Sequence, residues 1–130
     1  MTDAETDDLV AAARAVSRNA YAPYSEFRVG AAVRGASGRV YVGCNVENAS
    51  YGATLCAERC AVAAFVAGGE QTLSAVAIWT EAAEPAMPCG LCRQVLFEFG
   101  EDVLIVAACP ARMRRATLRE LLPDPFVLPR

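Results

Sequence analysis

Two short cysteine motifs contain the residues of this sequence that are best suited to chemistry. Cys89 and Cys92 are separated by two residues, and Cys56 is followed two positions later by the carboxylate of Glu58. The chain has six cysteines and no histidine, so a transition-metal site would rest on thiolates and carboxylates. Pro88 predicts the first turn of a helix. A pair of thiols at a helix start is typical of either a redox pair or half of a metal site.

A catalytic zinc site is the interpretation that uses both motifs. A thioredoxin-like motif would follow the first strand of a βαβ unit, whereas Cys89 follows the third predicted strand. Three thiolates, from Cys56, Cys89 and Cys92, would leave one tetrahedral position of Zn²⁺ open for water, near which Glu58 would lie. The alternative is a structural site of four thiolates that includes Cys60. That alternative does not explain why Glu58 lies between Cys56 and Cys60. An unpaired buried carboxylate is costly, so a purely structural site would not favour it.

Arg59 is expected to lie beside the ligand sulfurs. Three thiolates outweigh the charge of Zn²⁺ and weaken it as a Lewis acid, so a guanidinium that donates to the sulfurs would offset this effect. Cys56 and Ala63 flank Arg59 and predict that this face of the helix is buried.

The elements that position these residues follow from periodicity and turn signals. A capping box at Thr2 and Glu5 begins a first helix that is expected to end near Tyr21. The order of elements is α-β-β-α-β-α-β-α, which predicts one domain over residues 1–130, an α/β sandwich with a mixed sheet. After the first helix, the predicted strands are 27–33, 40–44, 73–80 and 103–108, and the predicted helices are 55–66, 88–99 and 117–122.

Composition and charge exclude several classes of protein. The net charge is −3 and the pI is near 4.9, which is the wrong sign for a protein that binds duplex nucleic acid. The basic cluster of Arg112, Arg114, Arg115 and Arg119 is interpreted as a solvated face. No apolar run is long enough to predict a membrane span. The acidic N-terminus differs from the basic start of a signal peptide, so we expect a cytoplasmic protein whose cysteines stay reduced.

Five segments of the sequence resemble the small cytidine deaminases of pyrimidine salvage. They span roughly residues 20–127 and are Phe27–Ala32, Gly43–Tyr51, Cys56–Arg59, Pro88–Gln94 and Leu121–Phe126. A cysteine rather than a histidine at position 56 points to the branch that acts on free nucleosides. Deaminases of aminonucleoside antibiotics share the cysteine motifs, and the segment Asn45–Glu47 favours cytidine over such substrates.

The resemblance implies a fold and a reaction. The fold would be a three-layer α/β/α sandwich with a mixed sheet of four to five strands. The reaction would be the hydrolysis of cytidine and 2′-deoxycytidine to uridine and 2′-deoxyuridine. Cys56, Cys89 and Cys92 would hold one zinc ion per chain, and Glu58 would carry protons while hydroxide attacks C4 of the base.

The resemblance also implies how the substrate is bound. Asn45 and Glu47 would hold the ribose hydroxyls. Gln94 is expected to assist Arg59 at the ligand sulfurs by the same charge argument as Arg59 itself. In small members of the family a C-terminal aromatic residue reaches a neighbour's pocket, which predicts a homotetramer with Tyr51 and Phe126 at interfaces. The alternative is that these aromatic residues pack against the core of their own chain. The full set of expected substrate-binding residues is Phe27, Asn45, Glu47, Ala57 through its backbone N–H, and Phe126.

Overall fold

The first helix matches the sequence prediction at its start and differs from it at its end. The computed structural model describes residues 1–129. Helix α1 spans Asp3–Ser17, and Thr2 and Glu5 form the predicted capping box. Tyr21 was expected at the end of this helix and lies beyond it, because its backbone N–H and C=O are hydrogen-bonded to the segment Asn45–Glu47. This pairing connects the start of the chain to the loop that carries two expected substrate-binding residues.

A single sheet forms the middle layer of the protein. Its strands are β1 Val29–Gly35, β2 Val40–Cys44, β3 Leu73–Thr80, β4 Leu104–Ala108 and β5 Met113–Thr117. The spatial order is β2-β1-β3-β4-β5. β3 and β4 are parallel, and the other neighbouring strands are antiparallel. The prediction of a mixed sheet of four to five strands is therefore confirmed.

Strand β5 is absent from the sequence prediction. It pairs with β4 alone, and three of its five residues are exposed. It therefore lacks the alternation of apolar and polar residues by which a strand is predicted. The predicted basic cluster surrounds β5, and three of its four arginines lie against carboxylates: Arg112 against Glu84, Arg115 against Asp3, and Arg119 against Glu101 and Asp102.

Helices cover both faces of the sheet, which confirms the three-layer sandwich. The further helices are α2 Ala57–Ala67, α3 Gly90–Phe97 and α4 Leu118–Leu121, with a 3₁₀ turn at Tyr51–Ala53. Helix α1 packs on one face through Leu9 and Ala13, in a cluster that includes Trp79. The core on the other face contains Phe65 and Leu96. Within residues 1–129, none of the helices is both long and apolar enough to cross a membrane.

Helices α2 and α3 each begin at a cysteine. Cys56 is the N-cap of α2, and Cys89 is the N-cap of α3. Gly43 in β2 allows α2 to lie directly on the sheet: a Cβ at this position would stand 2.3 Å from the Ala61 nitrogen and 2.7 Å from the Ala57 carbonyl oxygen. A larger residue here would displace the start of α2, and Cys56 with it, because packed backbones leave no room for an added methyl group.

Candidate active site

The structure brings the three predicted cysteine ligands together. The sulfurs of Cys56, Cys89 and Cys92 all lie within 4.8 Å of one another. The Sγ atoms of Cys56 and Cys89 are 4.0 Å apart. Two sulfurs at the usual Zn–S distance of about 2.3 Å in a tetrahedral site are about 3.8 Å apart. The spacing therefore fits one zinc ion with three thiolate ligands.

Cys60 does not belong to this cluster. Among the described residues, the group of side chains close enough to share an ion contains Cys56, Cys89 and Cys92 alone. Burial raises the pKa of the Cys60 thiol, and the neighbouring Cys44 raises it further. The structure therefore gives no support to a structural site of four thiolates.

The three sulfurs need a cation if all of them are to be ionised. Burial raises the pKa of the Cys92 thiol, and the nearby Glu58 carboxylate raises it further. Burial also opposes ionisation of Cys89, but hydrogen bonds from the Cys92 backbone and side chain bring the pKa of Cys89 below its usual value. The protein alone thus disfavours the thiolate form of Cys92. A divalent ion with affinity for sulfur would deprotonate this ligand, as zinc does on binding.

Glu58 is a buried carboxyl group next to the sulfur cluster. It lies in the first turn of α2 and is 5% exposed. Burial raises the pKa of Glu58 above its usual value, although hydrogen bonds from its own backbone N–H and from Cys92 partly offset this effect. A carboxyl group with a raised pKa in a cavity is suited to transferring protons.

The structure places the Arg59 guanidinium beside the sulfur of Cys56. Its Nη2 donates to the Thr54 carbonyl oxygen at 3.0 Å and to the Cys56 sulfur at 3.8 Å. The Cys56 sulfur raises the pKa of Arg59, and the Arg59 Nε atom is buried without an acceptor among residues 1–129. A guanidinium that donates to a ligand sulfur fits a centre that carries net negative charge. The argument from Ala63 was wrong, because Ala63 is exposed on α2.

A cavity of about 210 Å³ adjoins the cysteines and Glu58. Asn45 accepts a hydrogen bond from Val29 N at 2.9 Å and donates one to Phe27 O at 2.8 Å, so its side chain also holds the cavity wall in place. Ala57 is the first residue of α2, where backbone N–H groups have no partner within the helix. The lining residues are Phe27, Val29, Asn45, Thr54, Leu55, Cys56, Ala57, Glu58, Ile78, Ala86, Met87 and Cys89.

Glu47 lies in an adjoining cavity rather than in the cavity of Glu58. This second cavity, of about 410 Å³, shares Thr54 with the first and is also lined by Tyr24, Ser25, Glu47, Asn48 and Tyr51. Glu47 Oε1 accepts hydrogen bonds from Tyr24 N at 3.0 Å and Ser25 N at 3.1 Å, and Oε2 accepts one from the Ser25 hydroxyl. The Ser25 hydroxyl holds the pKa of Glu47 below its usual value. A carboxylate offers about four acceptor positions, so one remains on Oε2 for a ligand hydroxyl.

Two residues that organise this region were missed in the sequence. Ser25 connects Glu47 to the cavity wall, because its hydroxyl oxygen accepts a hydrogen bond from Phe27 N at 3.0 Å. Thr54 belongs to both cavities and accepts a hydrogen bond from Arg59 through its carbonyl oxygen. The turn signal at Pro23–Ser25 marks the first of these positions. Nothing in the local sequence pattern indicates the role of Thr54, because that role depends on the three-dimensional packing of the loop.

Gln94 and Phe126 lie together, away from the sulfur cluster. Gln94 donates to the Phe126 carbonyl oxygen at 3.0 Å and accepts from the Phe126 N–H at 3.2 Å. Both ends of the Gln94 amide are thus hydrogen-bonded to the C-terminal segment, whereas a contact with the ligand sulfurs was expected. Phe126 is 67% exposed and lines a groove with Gln94, Phe97, Glu98, Val127 and Leu128, separate from the cavity of Glu58.

Comparisons with known proteins agree with this geometry. A profile of the family described as the cytidine and deoxycytidylate deaminase zinc-binding region matches residues 3–108. The cytidine deaminase of Mycobacterium tuberculosis is 47% identical over 128 residues, which cover 98% of this chain and 94% of that protein. The crystal structure of cytidine deaminase from Burkholderia pseudomallei is 43% identical with a TM-score of 0.89, covering 97% of this chain and all of that chain. The crystal structure of the M. tuberculosis enzyme gives a TM-score of 0.84 at 46% identity, covering 98% of this chain and all of that chain.

Proposed function

The chain belongs to the zinc-binding cytidine and deoxycytidylate deaminase family, and from this membership we propose that it hydrolyses cytidine and 2′-deoxycytidine to uridine and 2′-deoxyuridine. One water is consumed and one ammonia is released, as the bond from C4 to the exocyclic nitrogen is replaced by a bond to oxygen. The observation that carries this proposal is the convergence of three cysteine sulfurs beside a buried carboxyl group, at the wall of a cavity. Such a reaction returns cytidine to the uridine pool, as pyrimidine salvage requires.

The zinc ion would be held by Cys56, Cys89 and Cys92. When bound with one open position, zinc lowers the pKa of a water molecule toward neutrality and so supplies the nucleophile. Two helix N-termini and the Arg59 guanidinium lie beside the sulfurs and would stabilise the negative charge of three thiolates.

Glu58 would carry the protons of the reaction. We infer that one of its carboxylate oxygens takes a proton from the attacking water and delivers it to N3 of the base, which makes C4 more electrophilic. The same carboxyl group then transfers a proton to the leaving amine. Its burial and raised pKa support this role, because a carboxyl group whose pKa is raised toward the working pH is a more efficient acid and base than an ordinary one.

The substrate would lie across both cavities. Phe27 and Asn45 line the cavity beside Glu58, where the base would bind with its carbonyl oxygen near the N–H of Ala57, which has no partner within the helix. The sugar would extend past Thr54 toward Glu47, whose remaining acceptor position suits one ribose hydroxyl. Because Glu47 would bind only one ribose hydroxyl, this arrangement is compatible with both the ribonucleoside and the deoxyribonucleoside.

We further propose that four copies of the chain assemble and complete one another's sites. The cavity beside Glu58, at about 210 Å³, is smaller than the about 300–1,000 Å³ of typical ligand pockets. Tyr51 is 81% exposed at the rim of the adjoining cavity, and Phe126, Val127 and Leu128 form a contiguous exposed apolar segment. Exposed apolar patches of this kind are typical of interfaces. A cytoplasmic location stays a prediction, supported by the reducing conditions that three free thiolate ligands need.

A metal analysis combined with an optical assay tests the proposal. The purified protein should contain one zinc per chain and should abolish the absorbance band of cytidine as uridine forms. Removing zinc with a chelator should stop the reaction, and adding zinc back should restore it. A zinc-loaded protein that leaves both cytidine and deoxycytidine unchanged would contradict the proposal.

A further inference from the structure

The backbone of Phe126 is held on both sides, although its ring lies in solvent. Phe126 N donates to Gln94 Oε1 at 3.2 Å, and Gln94 Nε2 donates to Phe126 O at 3.0 Å. The residue is nevertheless 67% exposed. A tail that packed only on its own chain would bury this ring, because burial of an aromatic side chain is favourable. A fixed backbone with an exposed ring is instead suited to presenting the ring to another surface.

The residues that hold the tail lie on the helix of the metal ligands. Arg93 and Gln94 directly follow Cys92 on α3. The Arg93 side chain donates from Nε to the Pro88 carbonyl oxygen at 2.7 Å and from Nη1 to the Leu121 carbonyl oxygen at 2.9 Å. Arg93 therefore fixes the beginning of the tail, and Gln94 fixes its aromatic residue. The position of Phe126 is set relative to the metal centre by two consecutive side chains.

We propose that Gln94 is a positioning residue that orients the Phe126 ring toward the substrate cavity of a second copy of this chain. The inference rests on the assembly proposed above. Gln94 acts through Phe126 and does not itself contact the substrate. Glutamine suits this task because one side-chain amide offers both a donor and an acceptor, which the N–H and C=O of Phe126 require. Methionine has a similar length and helix propensity but offers no N–H donor.

A double-mutant cycle tests this role. Gln94→Met is measured alone and together with Phe126→Ala, by steady-state kinetics, zinc content and sedimentation. We expect Gln94→Met alone to raise KM for cytidine by roughly 5- to 30-fold, as expected for the loss of two hydrogen bonds. We expect kcat to change by less than about 2-fold, with one zinc per chain retained. In the Phe126→Ala background, Gln94→Met should change KM by less than about 2-fold. The control is Glu98→Ala, at an exposed residue of the same groove, which should leave KM unchanged.

The outcomes separate this inference from the proposed function. An equal effect of Gln94→Met in both backgrounds would overturn the inference, because Gln94 would then act independently of Phe126. A loss of zinc would also overturn it, because Gln94 would then support the metal centre. The inference would also be overturned if Gln94→Met left KM unchanged while Phe126→Ala raised it. That result would leave the proposed assembly intact. If Phe126→Ala left KM unchanged, the tail would not contribute to the site, and Gln94 would have no positioning role. Turnover of cytidine by that variant would still uphold the deaminase activity.

Discussion

Replacing Glu58 by glutamine removes the proposed proton carrier and preserves its shape. Glu58 is 5% exposed, so bulk water has little access to take over the transfer of protons. A positioned general acid–base contributes about 10²–10⁴-fold, which corresponds to about 3–5 kcal/mol of activation free energy. We expect kcat to fall by the upper part of this range or more, because the same carboxyl group would serve several successive transfers.

Stability and metal content should be unaffected by this change. Burial raises the pKa of Glu58, so the ionised carboxylate is disfavoured at this position, and a neutral amide of the same size avoids that cost. We therefore expect a melting temperature no lower than that of the wild-type protein, with one zinc per chain. The assay is the loss of cytidine absorbance, with zinc measured on the same samples. Glu98→Gln makes the same chemical change at an exposed site on the end of α3 and should be silent. A zinc-loaded Glu58→Gln variant within about 10-fold of the wild-type rate would refute the assignment of Glu58.

The other predictions concern the metal, the sugar site and the tail. Cys92→Ser should lose zinc, whereas Cys60→Ser should keep one zinc per chain and near wild-type activity; zinc loss in the second variant would revive the site of four thiolates. Glu47→Ala should raise KM for cytidine about 10-fold with a small effect on kcat, as for a lost charge-assisted hydrogen bond, and unchanged kinetics would show that this loop does not bind the sugar. Hydrogen bonding by Ser25 holds the pKa of Glu47 below the usual 4.5, so Glu47 stays ionised down to about pH 5. KM for cytidine should therefore be constant from about pH 7 to about pH 5 and should rise only at lower pH, where the carboxylate is protonated. Truncation after Asp124 should keep zinc, raise KM and give a lighter particle in sedimentation, and a fully active tetramer without the tail would contradict its proposed role.

The cysteine cluster was predictable because its determinants are local. Proline before Cys89 and the polar loop before Cys56 both indicate helix starts, and thiols at helix starts share a direction and a favourable dipole. Strand β5 was not predictable in this way. Its residues are mostly exposed and are ordered by hydrogen bonds to β4, and these contacts leave no periodic pattern in the sequence.

The positions of polar side chains were less predictable than the elements that carry them. Asn45 and Glu47 are two residues apart on an extended segment, which predicts that both point the same way. In the structure they line adjoining cavities that share Thr54, because Glu47 is held by the turn at Ser25. Gln94 was expected at the sulfurs and is hydrogen-bonded to the tail instead. The hydrogen-bond partners of Glu47 and Gln94 are distant in sequence, so no local sequence pattern predicts these contacts.

The charge around the two cavities favours a free nucleoside over a nucleotide. The family profile covers deaminases of both cytidine and deoxycytidylate, so membership alone does not decide between them. The lining of the two cavities includes the carboxylate of Glu47, whose pKa is lowered by hydrogen bonding, and contains no arginine among the described residues, and the chain has no lysine. Like unit charges about 4 Å apart repel by about 1 kcal/mol even in bulk water, and a phosphate carries up to two. We therefore expect kcat/KM for deoxycytidylate to be at least about 10-fold below that for deoxycytidine, measured by the same optical assay. Glu47→Gln should narrow this ratio, because it removes the charge closest to the sugar and retains an acceptor for its hydroxyl. Equal values for the two substrates in the wild-type protein would show that a cation from outside the described lining, such as an arginine of a second copy, binds the phosphate.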